Sequence, residues 1–80
     1  MNPFLFLVDD VADDRLIFRD AVQEVNPNAR LETAKQAEAA LDQLAQLNEL
    51  PHALVIDVNL PGMDGVELLK AIRAHAAYRV

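Results

Sequence analysis

The sequence contains no cysteine, which excludes disulfides and thiolate metal sites and favours a cytoplasmic setting. No apolar run approaches the ~20 residues that a membrane-spanning helix needs, so we expect no membrane segment. Basic residues are also few: 7 Lys and Arg stand against 13 Asp and Glu, for a net charge of −6. Phosphate contacts need clustered Lys and Arg, so we expect no nucleic-acid binding by this segment. The scattered Arg15, Arg19 and Arg30 are interpreted as solvated.

What the chain does contain is an alternation of short apolar runs and helix-forming segments. Two continuous apolar runs, Phe4–Val8 and Ala53–Ile56, predict buried strands. A short alternating stretch over 29–34 predicts a third strand between them. Each predicted strand is followed by a segment with helical spacing of apolar residues, so the element order is β-α-β-α-β-α.

The helix boundaries are predicted from capping residues and breakers. Asp13 or Asp14 is expected to cap the first helix, and the second is expected over 36–47. Asp64 and Glu67 stand three residues apart at the start of the third, in a capping-box arrangement. The first helix is expected to present an apolar face of Phe18, Ala21, Val22 and Val25, and the second a face of Ala37, Leu41, Leu44 and Asn48.

Strands that alternate with helices predict a single α/β domain over residues 1–80, with a parallel sheet covered on both faces. In open sheets of this kind, ligands bind beyond the carboxyl ends of the strands where the strand order reverses. If the first strand lies between the other two, its end and the end of the third strand flank that point. The order 2-1-3 would therefore bring together acids about fifty residues apart.

Three acids follow the two continuous apolar strands: Asp9 and Asp10 after the first, and Asp57 after the third. Carboxylates gathered at one point repel each other, and a hard divalent cation such as Mg²⁺ would hold them together. Neither His52 nor His75 is placed to make a zinc site. A carboxylate beside Mg²⁺ can act as a nucleophile and form an aspartyl-phosphate.

The stretches FLFLVDDVADDRLIF and HALVIDVNLPGMDG carry a family resemblance. They resemble the first and third strand–loop segments of bacterial response-regulator receiver domains, which have a flavodoxin-like (CheY-like) fold. The paired acids after the first strand match, as do the acid that ends the third strand, the Asn-x-Pro-Gly-Met-Asp-Gly continuation and the spacing between the two segments. The resemblance covers essentially all eighty residues.

The resemblance implies a role for each matching residue. Asp57 would accept a phosphoryl group from a sensor histidine kinase, a phosphotransfer protein or a small phosphodonor. Asp10 and the Asp57 carboxylate would ligate Mg²⁺ directly, the Asn59 carbonyl would be the third protein ligand, and Asp9 would hold the metal through water. Pro61 and Gly62 would shape the loop. The resemblance implies a phosphoacceptor protein and not an enzyme.

The chain departs from the receiver pattern in its length. Receivers usually have five strands, and this sequence stops before the fourth. The missing part normally supplies a Ser or Thr and a Lys that contact the phosphoryl group, so we expect weakened Mg²⁺ binding and slow or undetectable phosphorylation. The length fits a shortened recombinant chain, a proteolytic product or a naturally short protein, and the sequence leaves these open.

An order of 2-1-3 would leave the third strand at an edge, with apolar residues on both faces. We therefore expect a two-fold homodimer through the third strand and third helix. A second interpretation is a structural or dimerisation module that is derived from a receiver and is not phosphorylated. A third, a Mg²⁺-dependent phosphatase of the haloacid-dehalogenase type, is disfavoured because such enzymes need an acid where Asn59 stands.

Overall fold

The computed structural model describes residues 2–57 and 60–74. It has the predicted alternation of strands and helices, and no helix in these two ranges is long and apolar enough to cross a membrane. In chain order the elements are β1 (Phe4–Val8), α1 (Ala12–Val25), β2 (Arg30–Ala34), α2 (Ala37–Gln46), β3 (Ala53–Ile56) and α3 (Gly65–Ala74).

The three strands form one parallel sheet in the order β2-β1-β3. The central strand is β1, where Phe6 pairs with Glu32 of β2 on one side and with Leu54 of β3 on the other. Both β1 and β3 have the predicted bounds, whereas β2 begins one residue later than predicted. The predicted 2-1-3 order of a flavodoxin-like sheet is confirmed.

The hydrophobic core lies on the face of the sheet that α2 and α3 cover. Successive residues of a strand point to opposite faces, so Phe6 and Val8 of β1 point to the same face. Leu54 and Ile56 of β3 pack against the same core from the edge strand. The buried members of this core are Phe6, Val8, Ala34, Ala37, Ala40, Leu44, Leu60, Leu68 and Ile72.

The opposite face of the sheet is only partly covered. The side chains of Leu54 and Ile56 reach the core, whereas Ala53 and Val55 alternate with them and are exposed, Val55 by 39%. Within the described residues no strand pairs with the outer edge of β3. The strand is therefore apolar on both faces, as the sequence indicated, but only one of these faces packs against the core, where its residues are half-buried.

Helix α1 begins earlier than its acids suggested. Its N-cap is Val11, which makes no side-chain capping bond, and Asp13 and Asp14 lie inside the first turn. The prediction that one of these acids caps the helix is wrong. The chain enters the helix sooner because the Val11 N–H donates to Oδ1 of Asp9 at 2.9 Å, which forms a tight turn directly after β1. The two acids still favour the helix start through the helix dipole.

The predicted apolar face of α1 is not buried: no residue of this helix is buried, and Val25 is 87% exposed. Phe18 and Val22 instead line an open groove of about 410 Å³ with Leu5 of β1. Because Leu5 and Phe6 point to opposite faces, α1 lies across the sheet from α2 and α3. Its apolar side chains meet the sheet on one side only, which explains their exposure.

Both ends of α2 and the start of α3 agree closely with the sequence. Helix α2 is one residue shorter at each end than predicted, and Asn48 is exposed beyond the packed face. At the start of α3, Oδ1 of Asp64 accepts the Glu67 N–H at 2.8 Å, which confirms the cap. Gly62 has φ +81° in the loop before this helix, a conformation that residues with a Cβ rarely adopt.

Candidate functional site

The candidate site lies at the carboxyl ends of β1 and β3. These strands are parallel neighbours, and Val8 pairs with Ile56 at their last position. The residues that follow, Asp9 and Asp57, therefore leave the sheet side by side although 48 positions of sequence separate them. The strand order alone thus brings the acids together, as predicted.

The three acids form one cluster in the structure. One carboxylate oxygen from each of Asp9, Asp10 and Asp57 lies within 4.8 Å of the other two. Asp9 and Asp57 are half-buried and Asp10 is exposed, so the cluster opens to solvent on one side. Among the described residues no other group of three or more His, Asp or Glu side chains comes this close together. The fold therefore brings the three predicted carboxylates together.

The backbone of the sheet holds two of these acids in place. The Asp9 N–H donates to the Ala34 carbonyl at 3.1 Å, and the Asp57 N–H donates to the Val8 carbonyl at 2.9 Å. Both bonds extend the strand pairing by one step past the last strand residue. The two half-buried carboxylates thus belong to residues that the sheet itself holds, and a site built on strands is more precisely positioned than one built on loops.

Asp9 makes two further contacts that the sequence did not suggest. Its Oδ1 accepts the Val11 N–H, and its carbonyl oxygen accepts a bond from Nη1 of Arg15 at 2.8 Å. Arg15 is half-buried, so the interpretation of this residue as solvated is wrong. The available signal was position: Arg15 lies six residues after Asp9, on the first turns of the helix that follows the acidic turn.

The cluster fits a hard divalent cation. Mg²⁺ takes oxygen ligands at about 2.0–2.1 Å and retains several waters, so two opposite ligands lie about 4.2 Å apart. Carboxylate oxygens within 4.8 Å of one another can share such an ion, directly or through one of its waters. Asn59, the predicted source of a carbonyl ligand, lies outside the described residues, as does His75.

The opposite end of the sheet has a structural role. His52 lies at the amino end of β3, where its Nδ1 accepts the Phe4 N–H at 2.8 Å and its own N–H donates to the Phe4 carbonyl at 2.7 Å. Arg30 stacks over the Phe4 ring at 4.0 Å and pairs with Glu32 and Glu49, so it is not simply solvated. These contacts hold the amino ends of the strands together, at the end of the sheet opposite to the three acids.

Comparison with known proteins identifies the family to which a chain with this geometry is similar. The family model described as "Response regulator receiver domain" matches residues 5–80. A protein-glutamate methylesterase/protein-glutamine glutaminase of Sulfurimonas denitrificans is 34% identical over 68 residues, which cover 85% of this chain and 19% of that protein. The chain thus spans about a fifth of the length of this curated relative. The enzymatic activities in that name are those of the relative.

Solved structures share the fold. The chemotaxis response regulator CheY4 of Vibrio cholerae superposes with a TM-score of 0.86 at 27% identity, covering 98% of this chain and 62% of that one. The phosphorylated cyanobacterial phytochrome response regulator RcpA superposes with a TM-score of 0.85 at 24% identity, covering 98% and 59%. The family match, the sheet order and the acid cluster agree: the chain belongs to the response-regulator receiver domain family.

Proposed function

We propose that this chain is the phosphoacceptor part of a two-component response regulator, working in the cytoplasm with Asp57 as the phosphorylated residue. The observation that carries the proposal is the convergence of three carboxylates at the ends of β1 and β3. The donor would be a sensor histidine kinase, a phosphotransfer protein or a small phosphodonor. No catalytic turnover of its own is proposed.

The proposed reaction is a single phosphoryl transfer. A carboxylate oxygen of Asp57 attacks the donor phosphorus and forms a new phosphorus–oxygen bond, which makes an acyl phosphate. The phosphorus–nitrogen bond of a phosphohistidine breaks, and the imidazole keeps the bonding electrons and takes a proton from solvent. With a small donor such as acetyl phosphate, a phosphorus–oxygen bond breaks instead and acetate leaves.

Each residue of the cluster would have its own role in binding Mg²⁺. Asp10 and Asp57 would ligate Mg²⁺ directly, Asp9 would hold it through water, and the Asn59 carbonyl would complete the protein ligands. When bound, the ion would neutralise the negative charge that repels an incoming phosphoryl group. The sheet would position the Asp57 carboxylate, because its backbone N–H bonds to the Val8 carbonyl.

Labelling with acetyl phosphate tests the proposal. We expect the isolated 80-residue chain to gain one phosphoryl group on Asp57, slowly and only with Mg²⁺, because the Ser or Thr and the Lys that receivers carry after their fourth and fifth strands are not among these eighty residues. Intact-mass and peptide mass spectrometry would follow the modification over time. The matched control is Asp64→Asn, which removes a carboxylate from the loop after β3 but keeps a good helix cap.

Each outcome of the labelling has one meaning. Label on Asp57 in the wild type and in Asp64→Asn supports the phosphoacceptor role. Label on a residue other than Asp57 contradicts that role. No label after prolonged incubation means that these eighty residues alone do not accept the group, and it favours the alternative of a structural module that is not phosphorylated. Rapid, stoichiometric labelling of Asp57 would support the phosphoacceptor role and would contradict the expected slow rate of phosphorylation.

We further propose that the 80-residue chain pairs with a second copy through β3 and α3. Val55 on the edge strand and Leu69 on α3 are 39% and 42% exposed, and an open apolar edge favours strand pairing. A two-fold axis would pair the two β3 strands antiparallel. The amino end of one β3, where Arg73 lines a groove with His52, would then lie beside the Asp57 end of the other.

This arrangement predicts a concentration-dependent dimer. We expect the wild-type chain to sediment as a dimer at high micromolar concentration, and Val55→Lys to sediment as a monomer because charge on an edge strand opposes pairing. Ile17→Lys on α1 adds the same charge at a site away from the proposed interface and is expected to remain dimeric. A stable wild-type monomer at that concentration would contradict the proposal.

A further inference from the structure

The contact between Arg15 and Asp9 suggests a role in the site. Nη1 of Arg15 donates to the main-chain carbonyl of Asp9 at 2.8 Å, in a half-buried position. Asp14 and Leu16, its neighbours in α1, are both exposed. The Arg15 side chain therefore turns inward at the start of the helix, toward the end of β1, whereas the residues on either side of it face solvent.

This contact matters because little else holds the start of α1. The helix has no buried residue and no side-chain cap at its N-terminus. Only three short polar contacts are described at Asp9, with the Ala34 carbonyl, the Val11 N–H and the Arg15 guanidinium. The Arg15 bond is the one formed by a side chain of α1, so it ties the helix directly to the acidic turn.

The acidic turn decides where two of the three carboxylates point. Asp9 and Asp10 are consecutive, and the Asp9 carbonyl belongs to the peptide unit that joins them. Because that unit is planar, fixing its oxygen restricts the direction in which Asp10 leaves the turn. Groups that orient metal ligands in this way affect affinity strongly although they do not touch the ion.

We propose that Arg15 is a positioning residue for the acid cluster: it fixes the Asp9–Asp10 peptide and so keeps both carboxylates directed at the shared cation. The inference rests on the proposed Mg²⁺ site. It concerns a residue outside the three-acid cluster, and it assigns to Arg15 an effect on cation affinity that arises from geometry.

Charge repulsion predicts the opposite change in Mg²⁺ affinity when Arg15 is lost, which makes the proposal testable. Arg15 carries a positive charge near three carboxylates, and a cation near the site weakens Mg²⁺ binding by repulsion. Loss of that charge alone would therefore strengthen Mg²⁺ binding. Loss of the positioning contact would weaken it. A role limited to holding α1 in place would lower the melting temperature and leave the Mg²⁺ dissociation constant unchanged.

The experiment compares Arg15→Met with Arg19→Met in the full 80-residue chain. Both substitutions remove one positive charge from α1, but Arg19 is exposed and makes none of the described contacts of the acidic turn. Mg²⁺ titration is expected to give a dissociation constant about tenfold weaker for Arg15→Met. For Arg19→Met we expect a value equal to the wild type or slightly tighter.

A second readout does not need the metal. Amide hydrogen exchange in Mg²⁺-free buffer reports the Val11 N–H, which donates to the Asp9 carboxylate. We expect this amide to exchange faster in Arg15→Met and at the wild-type rate in Arg19→Met. If Arg15→Met does not fold, Arg15→Lys keeps the charge and most of the stem, and any weakening of Mg²⁺ binding there would reflect lost positioning.

The outcomes separate this inference from the proposed function. Wild-type affinity or tighter Mg²⁺ binding in a folded Arg15→Met variant would overturn the positioning role, whatever the exchange rate at Val11. A wild-type chain that binds no Mg²⁺ would contradict the proposed function, and faster exchange at Val11 in Arg15→Met would still support the role of Arg15 in fixing the turn.

Discussion

In the Asp57→Asn variant, Mg²⁺ is expected to lose its effect on the melting temperature. Binding to the folded state alone stabilises a protein by RT ln(1 + [L]/Kd), about 2.7 kcal/mol when the ligand is at 100 times its Kd. In a domain of this size each 1 kcal/mol raises the melting temperature by roughly 4–8 °C. Asp57→Asn removes one of three clustered carboxylates and with it most of that stabilisation.

The same substitution is expected to act differently without the metal. The wild-type cluster places three negative charges close together at one edge of the sheet, and their mutual repulsion opposes folding. In EDTA we therefore expect Asp57→Asn to melt at or above the wild-type temperature. The variant thus gains or keeps stability in the absence of Mg²⁺ and fails to gain more when Mg²⁺ is added.

Differential scanning fluorimetry over a range of Mg²⁺ concentrations measures both effects. Asp64→Asn is the matched control, because it removes a carboxylate from the loop after β3 and preserves a capping side chain. It is expected to keep the Mg²⁺ response of the wild type. A Mg²⁺ response that survives in Asp57→Asn would place the cation elsewhere and would remove the chemical basis of the proposed phosphoacceptor.

Phe6→Ala is expected to unfold the chain or nearly so. Phe6 is 0% exposed on the central strand and belongs to the core that α2 and α3 cover. Replacing a buried Phe by Ala typically costs about 3–5 kcal/mol, the sum of lost burial and the cavity left behind. Since total stabilities of small domains are roughly 5–15 kcal/mol, this one change removes a large share.

Urea denaturation followed by circular dichroism measures the loss. The control is Ile17→Ala on α1, where the side chain is 66% exposed and little burial is removed; its free energy of unfolding is expected to change by no more than about 0.5 kcal/mol. Comparable losses in the two variants would mean that α1 carries as much of the packing as the α2–α3 face, contrary to the core described above.

The strands and their order were predictable for a clear reason. The apolar runs Phe4–Val8 and Ala53–Ile56 end abruptly at acids, so the strand ends are marked in the sequence and match the structure. Helices between strands require a parallel sheet, and parallel strands bring their carboxyl ends to one edge. The meeting of Asp9, Asp10 and Asp57 follows from those two facts together with the 2-1-3 order.

Helix α1 shows where prediction from local pattern fails. The spacing of Phe18, Val22 and Val25 correctly indicates a helix with an apolar face. Whether that face is buried depends on which other elements lie beside it, and periodicity carries no such information. The capping prediction failed similarly, because Asp9 turned the chain into the helix before Asp13 was reached.

The sequence by itself determined the three strands, the parallel order of elements and the identity of the acids at the strand ends, because apolar runs, helix periods and breakers are all local signals. Only the tertiary structure decided that the carboxylate oxygens lie within 4.8 Å, that α1 has no buried residue, and that Arg15 reaches the Asp9 carbonyl. Each of these depends on how separate segments pack against one another, and such distances are set by the folded sheet and not by the spacing of residues along the chain.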